Sequence, residues 1–250
     1  MGFFKKNFPG KSKDAFSAIH DYASVSTDIH SHLIWGIDDG VKSEEESVDM
    51  LIGFIKLGYK KVITTPHIMH DHYKNTPENI YAGLMKLREI IARKNLPIDV
   101  DAAAEYYIDE GFEQKLNSGK ILTINNKFLL FEISYMNPPD NLARIIFDMI
   151  TKDYTPLLAH PERYPFWSQK FDEFHKLKAQ GVMLQLNIGS LTGYYGLQPK
   201  KIAEQLIDEN LIDFIGSDLH GERHMQALHQ ALREKYLWKL VAQGVKNSLL

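Results

Sequence analysis

Asp28-Ile29-His30-Ser31-His32 closes a short apolar run, and Ser43-Glu44-Glu45-Glu46 opens a different pattern a few residues later. The first segment reads as a strand that ends in polar residues. In the second, a serine cap and an acidic first turn mark a helix N-terminus. Met50, Leu51, Phe54 and Ile55 then fall at helical spacing and Gly58 stops the helix. Residues 28–58 therefore form one strand–loop–helix unit.

The same alternation runs down the chain. Six more short apolar runs lie at 62–65, 98–100, 128–131, 156–159, 182–186 and 212–215. Their length and their flanking Gly, Pro and Asn favour strands over buried helices. Helical patterns occupy 76–94, 140–152, 169–180, 199–210 and 225–242. Seven strands alternating with helices predict parallel pairing and right-handed crossovers, as in a barrel or a doubly wound sheet. No second composition regime, repeat or low-complexity linker divides the chain. The reading is an N-terminal extension over 1–23 and a single domain over 24–250.

Composition narrows the chemistry. The chain has 250 residues, 44% hydrophobic, enough for one substantial core. With 29 basic and 32 acidic residues it carries no electrostatic footprint for nucleic acid. It has no cysteine, which excludes disulfides, thiolate zinc sites and a cysteinyl-phosphate mechanism. No apolar run approaches the ~20 residues of a membrane helix, and the first residues do not read as a secretory signal. The expected setting is the cytoplasm, without membrane insertion.

Metal-capable side chains sit where the apolar runs stop. His30 and His32 end the first strand, His67 the second, Glu132 the fourth and His160 the fifth. Glu105 follows the third, behind Ala102 to Ala104, and Asp218 and His220 follow the seventh. Asn187 at the end of the sixth could line the same place. In a parallel barrel all strand C-termini share one face, so these residues converge. His30 and His32 are two apart, which puts both rings on one side of an extended strand. Imidazoles beside carboxylates suit a first-row divalent ion. A carboxylate such as Glu132 at the end of an apolar run is costly unless paired or metal-bound. Of the turn Asp38-Asp39-Gly40, Asp39 is the residue expected to reach a metal. Arg163 and Arg223 are the candidates for holding a phosphate. His20, His175, His224 and His229 read as solvated. Trp35, Tyr106, Tyr107, Trp167, Tyr194 and Tyr195 read as loop residues near the mouth.

The motifs His30-Ser-His32, Thr64-Thr-Pro-His67, His160-Pro-Glu-Arg163 and Ser217-Asp218-Leu-His220 together resemble the polymerase and histidinol phosphatase (PHP) superfamily. Within it, residues 28–47 are similar to the bacterial tyrosine phosphatases of capsular and exopolysaccharide loci. The resemblance implies an α/β fold, a distorted TIM-like (β/α)7 barrel of the PHP type. It implies three divalent ions, manganese first, with iron, zinc, cobalt or magnesium as alternatives. Carried over by position, one ion takes His30, His32, Glu105 and Asp218. A second takes Glu105, Glu132 and His160, and a third takes Asp39, His67 and His220. Arg163 and Arg223 match the phosphate-holding arginines. The implied reaction is hydrolysis of phosphotyrosine, on the tail of a polysaccharide-synthesis tyrosine kinase, by metal-activated hydroxide. The alternatives are a PHP phosphatase of a small metabolite such as histidinol phosphate, a nuclease, or an inactive binding module of the kinase complex.

Overall fold

The computed structural model describes residues 17–250. Among these it has nine strands and eight α-helices. The strands are β1 (Thr27–Asp28), β2 (Lys61–Thr64), β3 (His67–Ile68), β4 (Asp99–Ala102), β5 (Glu105–Tyr107), β6 (Phe128–Glu132), β7 (Thr155–Ala159), β8 (Met183–Asn187) and β9 (Phe214–Gly216). The helices are α1 (Glu44–Lys56), α2 (Pro77–Lys94), α3 (Phe112–Ser118), α4 (Leu142–Thr151), α5 (Asp172–Ala179), α6 (Leu197–Asp208), α7 (Glu222–Ala231) and α8 (Lys235–Gln243). Among the described residues no helix is long and apolar enough to cross a membrane.

All paired strands are parallel, and two expected strands are each split in two. Pro66, which has no N–H, separates β2 from β3, and Ala103 and Ala104 separate β4 from β5. The backbone still crosses the break, with Ala103 N donating to Thr64 O (2.9 Å) and Glu105 N to Pro66 O (3.2 Å). The result is a three-stranded sheet β1-β2-β4 and a six-stranded sheet β3-β5-β6-β7-β8-β9. The α/β class with parallel strands is as expected. A continuous closed barrel is not formed: β1 and β9 share no ladder, and a single bridge, Ser31 to Leu219, joins the segments that follow them.

Side chains fill the place of that ladder. Asp28 is buried on β1 and accepts from Ser217 N (2.8 Å) and Ser217 Oγ (2.9 Å). Asn247, buried near the C-terminal end, donates to Thr27 O (2.9 Å) and Ile215 O (2.7 Å) and accepts from Ile215 N (3.0 Å). Burial pushes the Asp28 carboxyl up to about 7, against the bonds from Ser217.

The strands are apolar on both faces, the signature of a sheet covered on both sides. Ile29, Ile63, Leu130, Leu157 and Phe214 pack together, while Val62, Leu129, Leu158, Leu184 and Ile215 pack toward the helices. Helix starts follow local chemistry. Ser43 Oγ accepts from Glu46 N at α1, and Thr76 and Asn79 form a reciprocal capping box at α2. The single helix expected over 225–242 is two helices. Glu234 is extended between them, and Trp238 Nε1 donates to Leu232 O (2.7 Å), occupying a carbonyl freed by the break. Of the expected extension over 1–23, residues 1–16 lie outside the described part. Tyr22 belongs to the core, with its hydroxyl donating to Leu228 O (2.8 Å).

Candidate metal centre

The C-terminal ends of the strands bring the expected residues into one buried cluster. His30 and His32 follow β1, their ring centroids 5.4 Å apart and both fully buried. His67 starts β3 directly opposite Glu105 on β5, and Tyr107 on β5 pairs with Glu132 at the end of β6. The segment after β9 is tied to the first by Asp218 N to His30 O (2.7 Å) and His32 N to Leu219 O (2.9 Å). His160 and Asp218 adopt left-handed backbone, at φ 35° and 49°. Such backbone costs about 1–3 kcal/mol for a residue with a side chain and concentrates at functional sites.

Glu105 is the centre of the cluster and is fully buried. Its Oε2 lies 3.0 Å from His30 Nε2, 3.3 Å from His67 Nε2 and 3.5 Å from His32 Nε2. Its Oε1 lies 3.1 Å from His160 Nε2. Asp218 Oδ1 is 3.4 Å from His30 Nε2 and 3.5 Å from His32 Nε2. Asp39 Oδ1 is 3.2 Å from His67 Nδ1 and 3.4 Å from His220 Nε2. Glu132 faces His67 at 3.6 Å and His160 at 3.8 Å. Three sets of ligand atoms are compact enough to hold an ion: His30, His32, Glu105 and Asp218; His32, Asp39, His67 and His220; and His67, Glu105 and Glu132. The first is the set carried over from the resemblance. The other two differ in that His32 and His67 each stand between two sets. His160 lies against the Glu105–Glu132 set without joining it.

The rings are aimed from behind. Gln185 Nε2 donates to Leu186 O (2.9 Å), which leaves Oε1 to accept from His30 Nδ1 (2.7 Å). Asp38 Oδ2 accepts from His32 Nδ1 (2.8 Å). Both histidines therefore turn Nε2 to the cluster. His32 Nε2 and His67 Nδ1 are buried without a hydrogen-bond partner. Buried imidazole nitrogens left bare, beside carboxylate oxygens, fit a divalent ion.

Electrostatics divides the acids. Burial alone would raise Glu105, but His30, His67 and a hydrogen bond from His160 hold it well below the usual carboxylate range. Glu132 is pushed up to about 8 by burial and by the charge of Glu105. His67 rises to about 10: burial and His32 oppose this, and Glu105, Asp38 and Asp39 outweigh them. His160 falls to about 4 through burial and Arg163. A cluster that holds protons this way has places for cations.

Above the cluster is a cavity of about 650 Å³. Arg163 lines it, with Nη1 donating to Asp218 Oδ2 (2.7 Å) and its guanidinium carbon 5.1 Å from the Tyr135 ring and 4.2 Å from the Tyr195 ring. Asn187 Nδ2 also donates to Asp218 Oδ2 (2.9 Å), and Glu162 anchors Asn187 by accepting from its backbone N (3.0 Å). Arg223 is exposed and is not among the residues that line the cavity. The helix α7 starts at Glu222, so neighbours point about 100° apart, and His224 faces the cavity in its place. His224, read as solvated, packs 5.3 Å from the His220 ring. Of the aromatics expected at the mouth, Tyr107 and Tyr195 line the cavity, while Tyr106 and Trp167 are core. Met69, His72, Tyr73 and Tyr135 complete the wall; of these, His72 stands in the sequence as a histidine flanking the second-strand loop, while Met69, Tyr73 and Tyr135 carried no sequence signal. Gln185 did: it is a polar residue inside the apolar run 182–186, at the same two-residue spacing as Asn187.

The family model for capsular polysaccharide synthesis, CpsB/CapC, matches residues 26–245. The tyrosine-protein phosphatase YwqE of Bacillus subtilis (strain 168) is 30% identical over 228 residues, covering 89% of this chain and 90% of that protein. The tyrosine-protein phosphatase CpsB of Streptococcus pneumoniae is 25% identical, covering 84% and 90%. Among solved structures, one from a study of YwqE and CpsB, described as unique metal-dependent tyrosine phosphatases, superposes with TM-score 0.79. It is 27% identical in sequence, over 90% of this chain and 93% of that one.

Proposed function

The chain belongs to the CpsB/CapC family, and from that we propose that it is a metal-dependent protein-tyrosine phosphatase. One observation carries the reading: Glu105, fully buried, lies within 3.5 Å of four histidines delivered by separate strand ends and by the first strand's His-x-His pair. We assign three divalent ions, manganese by preference, to His30, His32, Asp39, His67, Glu105, Glu132, His160, Asp218 and His220. We take residues 24–250 as one domain. We read its two sheets as one distorted (β/α)7 barrel, supported by the His30–Asp218 and His32–Leu219 bonds across the seam. The natural substrate on this reading is the phosphotyrosine-bearing tail of a polysaccharide-synthesis tyrosine kinase, met in the cytoplasm.

Bound divalent ions lower the pKa of water toward neutrality and offset phosphoryl charge. The chain's own groups supply the rest. Arg163 presents a guanidinium to the phosphoryl oxygens, already fixed by Asp218 and two aromatic faces. Gln185 and Asp38 keep His30 and His32 facing inward. Tyr135 and Tyr195 narrow the approach and shed water from the guanidinium. A tyrosinate leaving group has pKa ~10 and needs less protonation than an alkoxide.

The test is hydrolysis of a phosphotyrosyl peptide by protein reconstituted with Mn2+, with histidinol phosphate and an oligonucleotide as competitors. Peptide turnover should dominate and should vanish with chelator or in His30→Ala. Full activity in protein verified free of metal would sink the reading.

A further inference from the structure

Large apolar side chains flank the cavity on the side where Arg163 stands. Tyr135 and Tyr195 both lie against its guanidinium, and each has an exposed apolar neighbour in sequence. Met136, next to Tyr135, is 83% exposed. Leu197, two residues past Tyr195, is 75% exposed, and Tyr194 is 41% exposed. Met136 comes from the loop after β6, Tyr194 from the loop leading into α6, and Leu197 is the first residue of that helix. One tyrosine from each loop lies against the same guanidinium, which brings the two segments together at Arg163. Met136, Tyr194 and Leu197 are outside the cavity lining, so the metal cluster has no use for them. Each stands within two residues of a tyrosine that lines the cavity, and exposed apolar surface beside a site is where a ligand makes contact.

We propose that Met136, Tyr194 and Leu197 form a lip that seats apolar residues flanking the phosphorylated tyrosine of a peptide substrate. The inference rests on the phosphatase reading above and adds the character of the sequence around the scissile phosphate. The phosphate is drawn to Arg163 and the cluster, so the main chain that carries it crosses beside Arg163. Its neighbouring side chains then fall on residues 135–136 and 194–197. Acidic neighbours gain no cationic partner from these three residues. Apolar neighbours lose water-exposed surface together with them.

The experiment compares three substrates on the Mn2+-loaded protein and on the Met136→Ser/Leu197→Ser variant. These are free phosphotyrosine, a hexapeptide with leucine on each side of phosphotyrosine, and the same peptide with serine in those positions. The wild type should prefer the leucine peptide by about tenfold in kcat/KM, the scale of partial burial of one or two aliphatic side chains. The variant should bring that ratio near one, mainly through KM, and leave free phosphotyrosine unchanged. A wild-type ratio near one, or an equal loss on all three substrates, overturns the lip. Tyr194→Ser, measured alone, should halve the preference or more, and it decides the matter if the double variant does not fold. Failure of the wild type to hydrolyse free phosphotyrosine would overturn the phosphatase reading itself, and the lip with it.

Discussion

A carboxylate that already accepts from three protein donors has little left to give a metal. Asp38 is in that position: Oδ2 takes His32 Nδ1 at 2.8 Å and His67 N at 3.1 Å, and Oδ1 takes Gly40 N at 2.9 Å. One buried side chain thus aims the ring of one candidate ligand, seats the backbone of a second and closes the turn that carries Asp39. Gly40 completes the arrangement, since a Cβ there would stand 2.4 Å from His32 Cβ and from His32 O. Asp38→Asn keeps the size but replaces one of the two acceptor oxygens with an NH2 donor, so either the His32 and His67 side or the Gly40 side loses its acceptor. We expect Mn2+ affinity to fall about 10–100-fold, the usual effect of removing a group that orients a ligand. Calorimetric Mn2+ titration checks this, and unchanged affinity would show that His32 needs no such support. The adjacent pair Asp38-Asp39 was visible in the sequence. The sequence reading takes Asp39 as the one within reach of a metal, but residue type gives no ground for that preference, because the two differ in direction and not in kind.

At the scale of elements, strand ends were legible because a ligand-type residue interrupts an apolar run wherever a strand meets the cluster. Pro66 was visible too, yet its effect on the sheet was not: whether a proline splits a strand depends on which neighbour wanted its N–H. The side of α7 that faces the cavity depends on its first residue, so the sequence did not show that His224 lines the cavity while Arg223 is exposed. The seam between β1 and β9 was invisible, since it depends on Asn247, a side chain some 220 residues from its partner Thr27. Asn247→Ala removes three hydrogen bonds and leaves Thr27 O, Ile215 O and Ile215 N without that partner. The expected loss is about 2–4 kcal/mol, read from denaturant unfolding. A loss under about 0.5 kcal/mol, the size of an ordinary surface change, would mean that water replaces the side chain.

Across the whole molecule, the cluster draws on both sheets. His30 and His32 extend from the three-stranded sheet, and the remaining candidate ligands except Asp39 lie on or after strands of the six-stranded one. Ions held there bind only the folded chain, so they stabilise it by mass action. One ion at a hundredfold excess over its Kd contributes about 2.7 kcal/mol, or about 5–10 °C in midpoint for a chain of this size. Thermal unfolding with and without Mn2+ should show at least that rise, reversed by chelator. A midpoint indifferent to Mn2+ would argue against ions at the junction.

The seam also sets a timetable. His30 and His32 leave the ribosome early, but the backbone bond that fixes His30 comes from Asp218, and the side chain that locks β1 in place comes from Asn247. Domains fold as synthesis proceeds, and contacts this distant in sequence form late because their loops are costly to close. A nascent chain therefore carries most of its ligands without an ordered place to put them. The centre cannot be complete before Asp218 and Asn247 have been made, which leaves a hydrolytic site unassembled on any shorter nascent chain.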